Sequence, residues 1–123
     1  MTAHILVVDD DPSIREVVSD ILGSEGYSVA TASNGAEALE VVERTRPALV
    51  LLDMRMPVLN GWDFAREIKE RGLRPCICIM VMTAARNARH WAEEINADGF
   101  VAKPFELPDL LAAVEQLHRP GRH

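Results

Sequence analysis

Cysteine is scarce in this 123-residue chain, which has only Cys76 and Cys78. Two apart on a strand, their Cα atoms would lie about 6.7 Å apart, at the edge of disulfide reach and badly oriented. A zinc site would need two such pairs. Both are therefore expected to be buried free thiols, and the chain is expected to work in a reducing, cytoplasmic compartment. Long hydrophobic runs are missing too. The longest nearly apolar stretch, Cys76 to Ala85, is half of what a membrane-spanning helix needs. Met1 to Val8 carries no basic region or cleavage site and runs straight into three aspartates, so no signal peptide is expected. Positive charge is short: 13 Lys and Arg against 19 Asp and Glu, a net charge of −6. That balance argues against a nucleic-acid-binding surface, which needs clustered positive charge, but leaves cations and protein partners open. Long linkers, low-complexity tracts and repeats are also lacking. With 48% hydrophobic and 26% charged residues, what remains is one soluble domain with a real core. Disorder, collagen and a disulfide-stapled miniprotein are excluded.

What is present is a short apolar run followed by a helix-period stretch, five times over. The apolar runs are Ile5–Val8, Tyr27–Thr31, Ala48–Leu52, Ile77–Met82 and Phe100–Ala102. Such runs suit parallel strands covered on both faces. The intervening stretches carry apolar residues at spacings of three and four. Ile14, Val17, Val18, Ile21 and Leu22 form one face; Ala38, Leu39 and Val42 a second; Phe64, Ala65 and Ile68 a third. Ala88, Trp91, Ala92 and Ile95 form a fourth, and Leu107, Leu110, Leu111, Val114 and Leu117 a fifth. Asp11 caps a predicted helix that starts at Pro12. Asn34 with Glu37, and Asn60 with Asp63, resemble capping boxes. Gly26 and Gly72 stand where the first and third helices should stop. Five β-α units predict an α/β fold, a parallel sheet with right-handed crossovers and helices on both faces. Ligands in such sheets bind beyond the carboxyl ends of the strands.

Four of the five apolar runs finish there in polar or charged residues: Asp9-Asp10-Asp11, Asp53, Thr83 and Lys103. Asp9, Asp10 and Asp53 sum to three negative charges. Two carboxylates about 5 Å apart repel by roughly 3 kcal/mol at an effective dielectric of 20. Such a cluster must take up protons, recruit a cation, or both. Lys103 supplies one positive charge, and a divalent ion would bring the site to zero. All-oxygen ligands of this kind favour Mg²⁺. A carboxylate, a divalent ion, an ammonium and a hydroxyl suit a phosphoryl group. Lys103 and the ion would neutralise its oxygens, Thr83 would hydrogen-bond to one, and Asp53 would be the nucleophile.

At these positions the sequence resembles response-regulator receiver domains of two-component signal transduction. The resemblance rests on Leu6-Val7-Val8-Asp9-Asp10, Leu51-Leu52-Asp53-Met54-Arg55-Met56-Pro57, Asn60-Gly61, Met82-Thr83-Ala84 and Lys103-Pro104-Phe105. It covers essentially the whole chain, in order. It implies strand order 2-1-3-4-5 with five helices, a flavodoxin-like sheet. It implies Asp53 as phosphoacceptor, and Asp10, Asp53 and the backbone carbonyl of Arg55 as Mg²⁺ ligands, with Asp9 acting through a bound water. Thr83 and Lys103 would contact the phosphoryl group, and Lys103-Pro104 would be cis. Phe100 matches the aromatic position that turns inward on activation as Thr83 moves toward the phosphate. The donor would be phosphohistidine on a histidine kinase or phosphotransfer domain, and the output an altered protein-binding surface. The receiver is expected over 1–119, with 120–123 a short tail. With no length for an effector domain, a stand-alone regulator or a receiver from a larger protein is expected.

Two departures from the family pattern stand out. Asn60 replaces a usual Asp in the loop after Pro57. Thr83 and Lys103 are 20 positions apart, a couple fewer than usual, so the fourth helix or its flanking loops must be shorter. Arg55 and Ala85 lie two residues after Asp53 and Thr83, positions that tune self-dephosphorylation in the family. Ala85 cannot orient a water, so a long-lived phosphoryl form is expected.

The remaining residues have plainer readings. Trp62 and Trp91 suit packing, and Met80 and Met82 the core. Met54 and Met56 flank the acceptor, where core or a partner contact would serve. His4, His90, His118 and His123 show no metal spacing and suit the surface. Arg86, Arg89 and His90, like Glu93 and Glu94, suit a solvated helix face. Arg119 to His123 reads as a frayed tail. Three rival functions fit the residues less well. A dehalogenase-type phosphatase needs a second Asp where Arg55 stands, and a flavodoxin-like carrier would find Asp9-Asp10-Asp11 repelling its phosphate. A degenerate receiver, a phosphorylation-independent interaction module, would lack part of an acceptor set that is complete here, so that alternative survives only through the shortened fourth-helix region.

Overall fold

Five strands pair in parallel in the order β2-β1-β3-β4-β5 in the computed structural model. They are β1 (His4–Val8), β2 (Ser28–Ala32), β3 (Leu49–Asp53), β4 (Cys78–Ala84) and β5 (Gly99–Lys103). Helices α1 (Pro12–Ser24), α2 (Gly35–Thr45), α3 (Gly61–Glu70), α4 (Ala85–Glu94) and α5 (Leu107–His118) alternate with them. The structure describes residues 4–56, 58–74 and 76–118, without the side-chain surroundings of Ala85, Leu117 and His118. Pro57, the Arg119–His123 tail and the expected boundary at 119 lie outside the described residues.

The order matches the expected one, and its cause is burial. The central strands β1 and β3 are apolar on both faces, so both faces need helices. Two cores result. Leu6, Val8, Val50, Leu52, Ile79 and Val81 pack under α2, α3 and α4, against Val42, Phe64, Ile68 and Ala92. Ile5, Val7, Leu49, Leu51, Met80 and Met82 pack under α1 and α5, against Val18, Leu22, Leu110 and Val114. Successive strand residues thus serve opposite cores. The predicted helix faces are broader than the contacts they make. Val17 is 50% and Leu107 48% exposed, because only the middle of each stripe reaches the sheet.

The expected punctuation holds with one refinement. Asp11 accepts the Ser13 N–H at the start of α1. Asn34 accepts the Glu37 N–H, and Asn60 the Asp63 N–H. Neither is a complete capping box. Glu37 reaches back to the Ser33 N–H, one residue too early, and Asp63 turns to Arg66. Gly26 and Gly72 have φ of +94° and +74°, the left-handed conformation that closes α1 and α3. The cysteines differ from expectation. Cys76 is exposed and precedes β4, and Cys78 is half-buried at its first residue. Neither is in a disulfide. No helix among the described residues is long and apolar enough to cross a membrane.

The short span between Thr83 and Lys103 is also explained. β4 runs to Ala84 and α4 begins at Ala85, so no loop separates them. The connection is shortened while α4 keeps 10 residues.

Candidate functional site

The register brings the polar strand ends together. Asp53 pairs with Met82, Thr83 with Ala102 and Ala84 with Lys103, so Asp53 and Lys103, which end their strands, and Thr83, one residue short of the end of β4, lie within a residue of one level. Asp9 extends β1 by one residue, its N–H bonding the Ala32 carbonyl at 3.1 Å. Asp10 follows, exposed, before Asp11 caps α1. The Lys103-Pro104 peptide is cis, as expected.

Asp9 is fully buried and doubly held. One carboxylate oxygen accepts the Asp11 N–H at 2.9 Å; the other accepts Lys103 Nζ at 2.7 Å. The same Nζ lies 3.9 Å from Asp53, a charge contact rather than a hydrogen bond. Arg15 Nη1 donates to the Asp9 backbone carbonyl at 2.6 Å. Arg15 was not singled out in the sequence, since a charge six residues on from Asp9 within a helix carries no signal of its own. Asp53 accepts the Arg55 N–H at 3.3 Å. Burial pushes the Asp53 carboxyl up to about 6. Lys103 opposes the shift, Asp9 adds to it, the Arg55 N–H opposes it and Asp10 adds a little more. Asp53 is therefore mostly ionised at neutral pH, at a cost that a nearby cation would relieve.

Asp9, Asp10 and Asp53 each offer an oxygen, and these oxygens lie within 4.8 Å of one another. Three hard oxygen donors that close, one of them a strained anion, fit a small divalent ion. Thr83 is buried beside them. Asp9, Asp10, Asp53 and Lys103 are thus brought together, with Thr83 near the end of the neighbouring strand.

Further out, several expectations need correction. Met54 and Met56 are buried, so neither offers a partner contact. His4 is half-buried rather than a surface residue, and its Nε2 is buried without a hydrogen-bond partner. His90 is exposed as expected, while the His118 side chain and His123 lie outside the described residues. Arg86, Arg89, Glu93 and Glu94 are exposed, again as expected. Phe100 is 40% exposed, with the Arg89 guanidinium over its ring at 5.7 Å. The aromatic thus stands outward. Trp62 and Trp91 pack edge to face, with centroids 5.0 Å apart, and the Trp62 indole N–H donates to Glu94 at 2.8 Å. The Arg55 guanidinium lies over Trp91 at 5.5 Å.

Comparison with known proteins agrees with this geometry. Residues 5–115 match the family model for the response regulator receiver domain. Response regulator MprA of Mycobacterium leprae is 38% identical over 116 residues, which are 94% of this chain and 51% of that protein. The chain thus spans about half the length of such curated relatives. Chemotaxis response regulator CheY4 of Vibrio cholerae superposes with a TM-score of 0.87 at 30% identity, covering 95% of this chain and 99% of that one. A CheY-like receiver domain protein from Methanospirillum hungatei gives 0.83 at 30% identity, covering 96% and 95%.

Proposed function

This chain belongs to the response regulator receiver domain family, a family of signalling switches, and from that membership we propose that Asp53 is its phosphoacceptor. The observation that carries the proposal is the gathering of Asp9, Asp10 and Asp53 within 4.8 Å, with Lys103 bound to the first and 3.9 Å from the last. The donor is phosphohistidine on a histidine kinase or phosphotransfer domain. An Asp53 oxygen attacks phosphorus. The P–N bond breaks, its electron pair stays on the imidazole, and that ring takes a proton from solvent. With its carboxyl at about 6, Asp53 attacks as the anion at neutral pH.

Asp10, Asp53 and the Arg55 carbonyl would hold Mg²⁺, with Asp9 acting through a bound water. The ion would supply two positive charges against the phosphoryl oxygens. Lys103 neutralises Asp9 and adds a third charge near the acceptor. Thr83 donates its hydroxyl to a phosphoryl oxygen, and its shift lets Phe100 turn inward, altering a protein-binding surface. The chain acts as a switch in the cytoplasm, with no nucleic-acid or membrane contact of its own, and catalyses only its own phosphorylation and slow dephosphorylation.

The test is incubation with Mg²⁺ and a small acyl phosphate, read by intact mass. A gain of one phosphate that needs Mg²⁺ and disappears in Asp53→Asn is expected. A folded wild type that gains none, even from a phosphorylated kinase, would overturn the proposal.

A further inference from the structure

Arg55 stands apart among the cations near the acceptor. Lys103 is committed to Asp9 at 2.7 Å, and Arg15 to the Asp9 carbonyl. Arg55 is exposed and pairs with no carboxylate among the described residues. Its guanidinium rests instead on the ring of Trp91 in α4. Its backbone N–H bonds the Asp53 carboxylate at 3.3 Å, which roots the long side chain beside the acceptor.

The two positions differ in what they respond to. A guanidinium over an indole is held by the ring quadrupole, which is indifferent to the charge on Asp53. A guanidinium on a phosphoryl oxygen is held by a charge-assisted hydrogen bond, the stronger of the two contacts. With Asp53 unmodified, the three carboxylates are balanced by Lys103 and a divalent ion, leaving Arg55 little reason to turn inward. Phosphorylation replaces one negative charge by about two and leaves one unbalanced charge at the mouth of the site. Arg55 is the free cation nearest in sequence to that charge.

Resting on the phosphoacceptor reading above, we propose that Arg55 is a positioning residue that couples Asp53 to α4. Its guanidinium lies on Trp91 while Asp53 is unmodified and leaves that ring for the phosphoryl oxygens when Asp53 is phosphorylated. Trp91 is well placed to report the departure. It packs on Trp62, whose indole N–H is bonded to Glu94 in α4, so α3 and α4 meet through this cluster. Arg55 thereby provides a connection to α4 separate from the Thr83 and Phe100 pair, which meets α4 at Arg89.

The chain has two tryptophans, so Trp62→Phe leaves Trp91 as the sole indole emitter. In that background, phosphorylation with Mg²⁺ and a small acyl phosphate should change Trp91 emission in proportion to phosphate occupancy by intact mass. Adding Arg55→Ala should bring the unmodified protein's emission near the phosphorylated value and remove most of the further change per phosphate. Arg55→Lys, which restores a cation, should recover part of it. In the wild type, NMR should show the Arg55 Nε–H and Cδ protons shielded by the indole before phosphorylation and returning toward unshielded positions after it. An Arg55→Ala protein that keeps the full emission change per phosphate would overturn the coupling, as would Arg55 resonances that stay shielded in the phosphorylated wild type. A wild type that gains no phosphate would overturn the acceptor reading, and the coupling with it.

Discussion

In metal-free protein, the Asp53 carboxyl should make stability fall as pH rises from about 4 to 7, and Asp53→Asn should remove that fall. Burial raises this carboxyl from 3.8 to about 6. Between those values the folded chain holds more protons at this position than the unfolded chain. The slope of unfolding free energy with pH is then negative. The contribution is fully present below the unfolded value and is lost as pH passes the folded one. Two units correspond to about 3 kcal/mol. The side chain is 10% exposed and Asp10 beside it faces water, so screening reduces the expected effect to about 2 kcal/mol. Urea denaturation in chelator, from pH 4 to 8, measures it directly. The stability of Asp53→Asn minus that of wild type should be small at pH 4 and approach about 2 kcal/mol at pH 8. Magnesium at 100 times its dissociation constant should return about 2.7 kcal/mol to the wild type at pH 8, and less at pH 4.5. Parallel pH curves for the two proteins would refute the burial argument for Asp53.

Lys103→Met should destabilise the protein by about 1–3 kcal/mol at pH 8, because it leaves the buried Asp9 carboxylate without its cation, read by the same denaturation. Two glycine substitutions should act with opposite sign. A Cβ at Gly35 would collide with the Leu59 carbonyl oxygen, so Gly35→Ala should lower the melting temperature and cost about 2–4 kcal/mol; Gly23→Ala, in open space within α1, should gain roughly 0.5–1 kcal/mol. Native protein should react with a thiol reagent at one site quickly and at a second slowly, with peptide mapping assigning the fast site to exposed Cys76 and the slow one to Cys78.

Strand identity and strand-end chemistry were legible in the sequence for local reasons. An apolar run buried on both faces must be an inner strand, and a charge that ends it must stand at the sheet edge, as Asp9, Asp53 and Lys103 do. Helix starts were legible at Asp11, Asn34 and Asn60, because a cap bonds within three residues. Exposure was less legible. Val17 and Leu107 share the periodicity of their buried neighbours and still face water. Cys76 fell outside its expected strand by two residues, which was enough to expose it.

The sequence by itself determined the parallel α/β architecture, the acidic pocket and the cation that faces it, since each follows from patterning a few residues long. Tertiary structure alone decided that Lys103 bonds Asp9 while standing off Asp53, that Phe100 lies outward beneath Arg89, and that Arg55 rests on Trp91. Those contacts join segments far apart in the chain, and which of several nearby partners a long charged side chain takes is settled only when packing sets the distances.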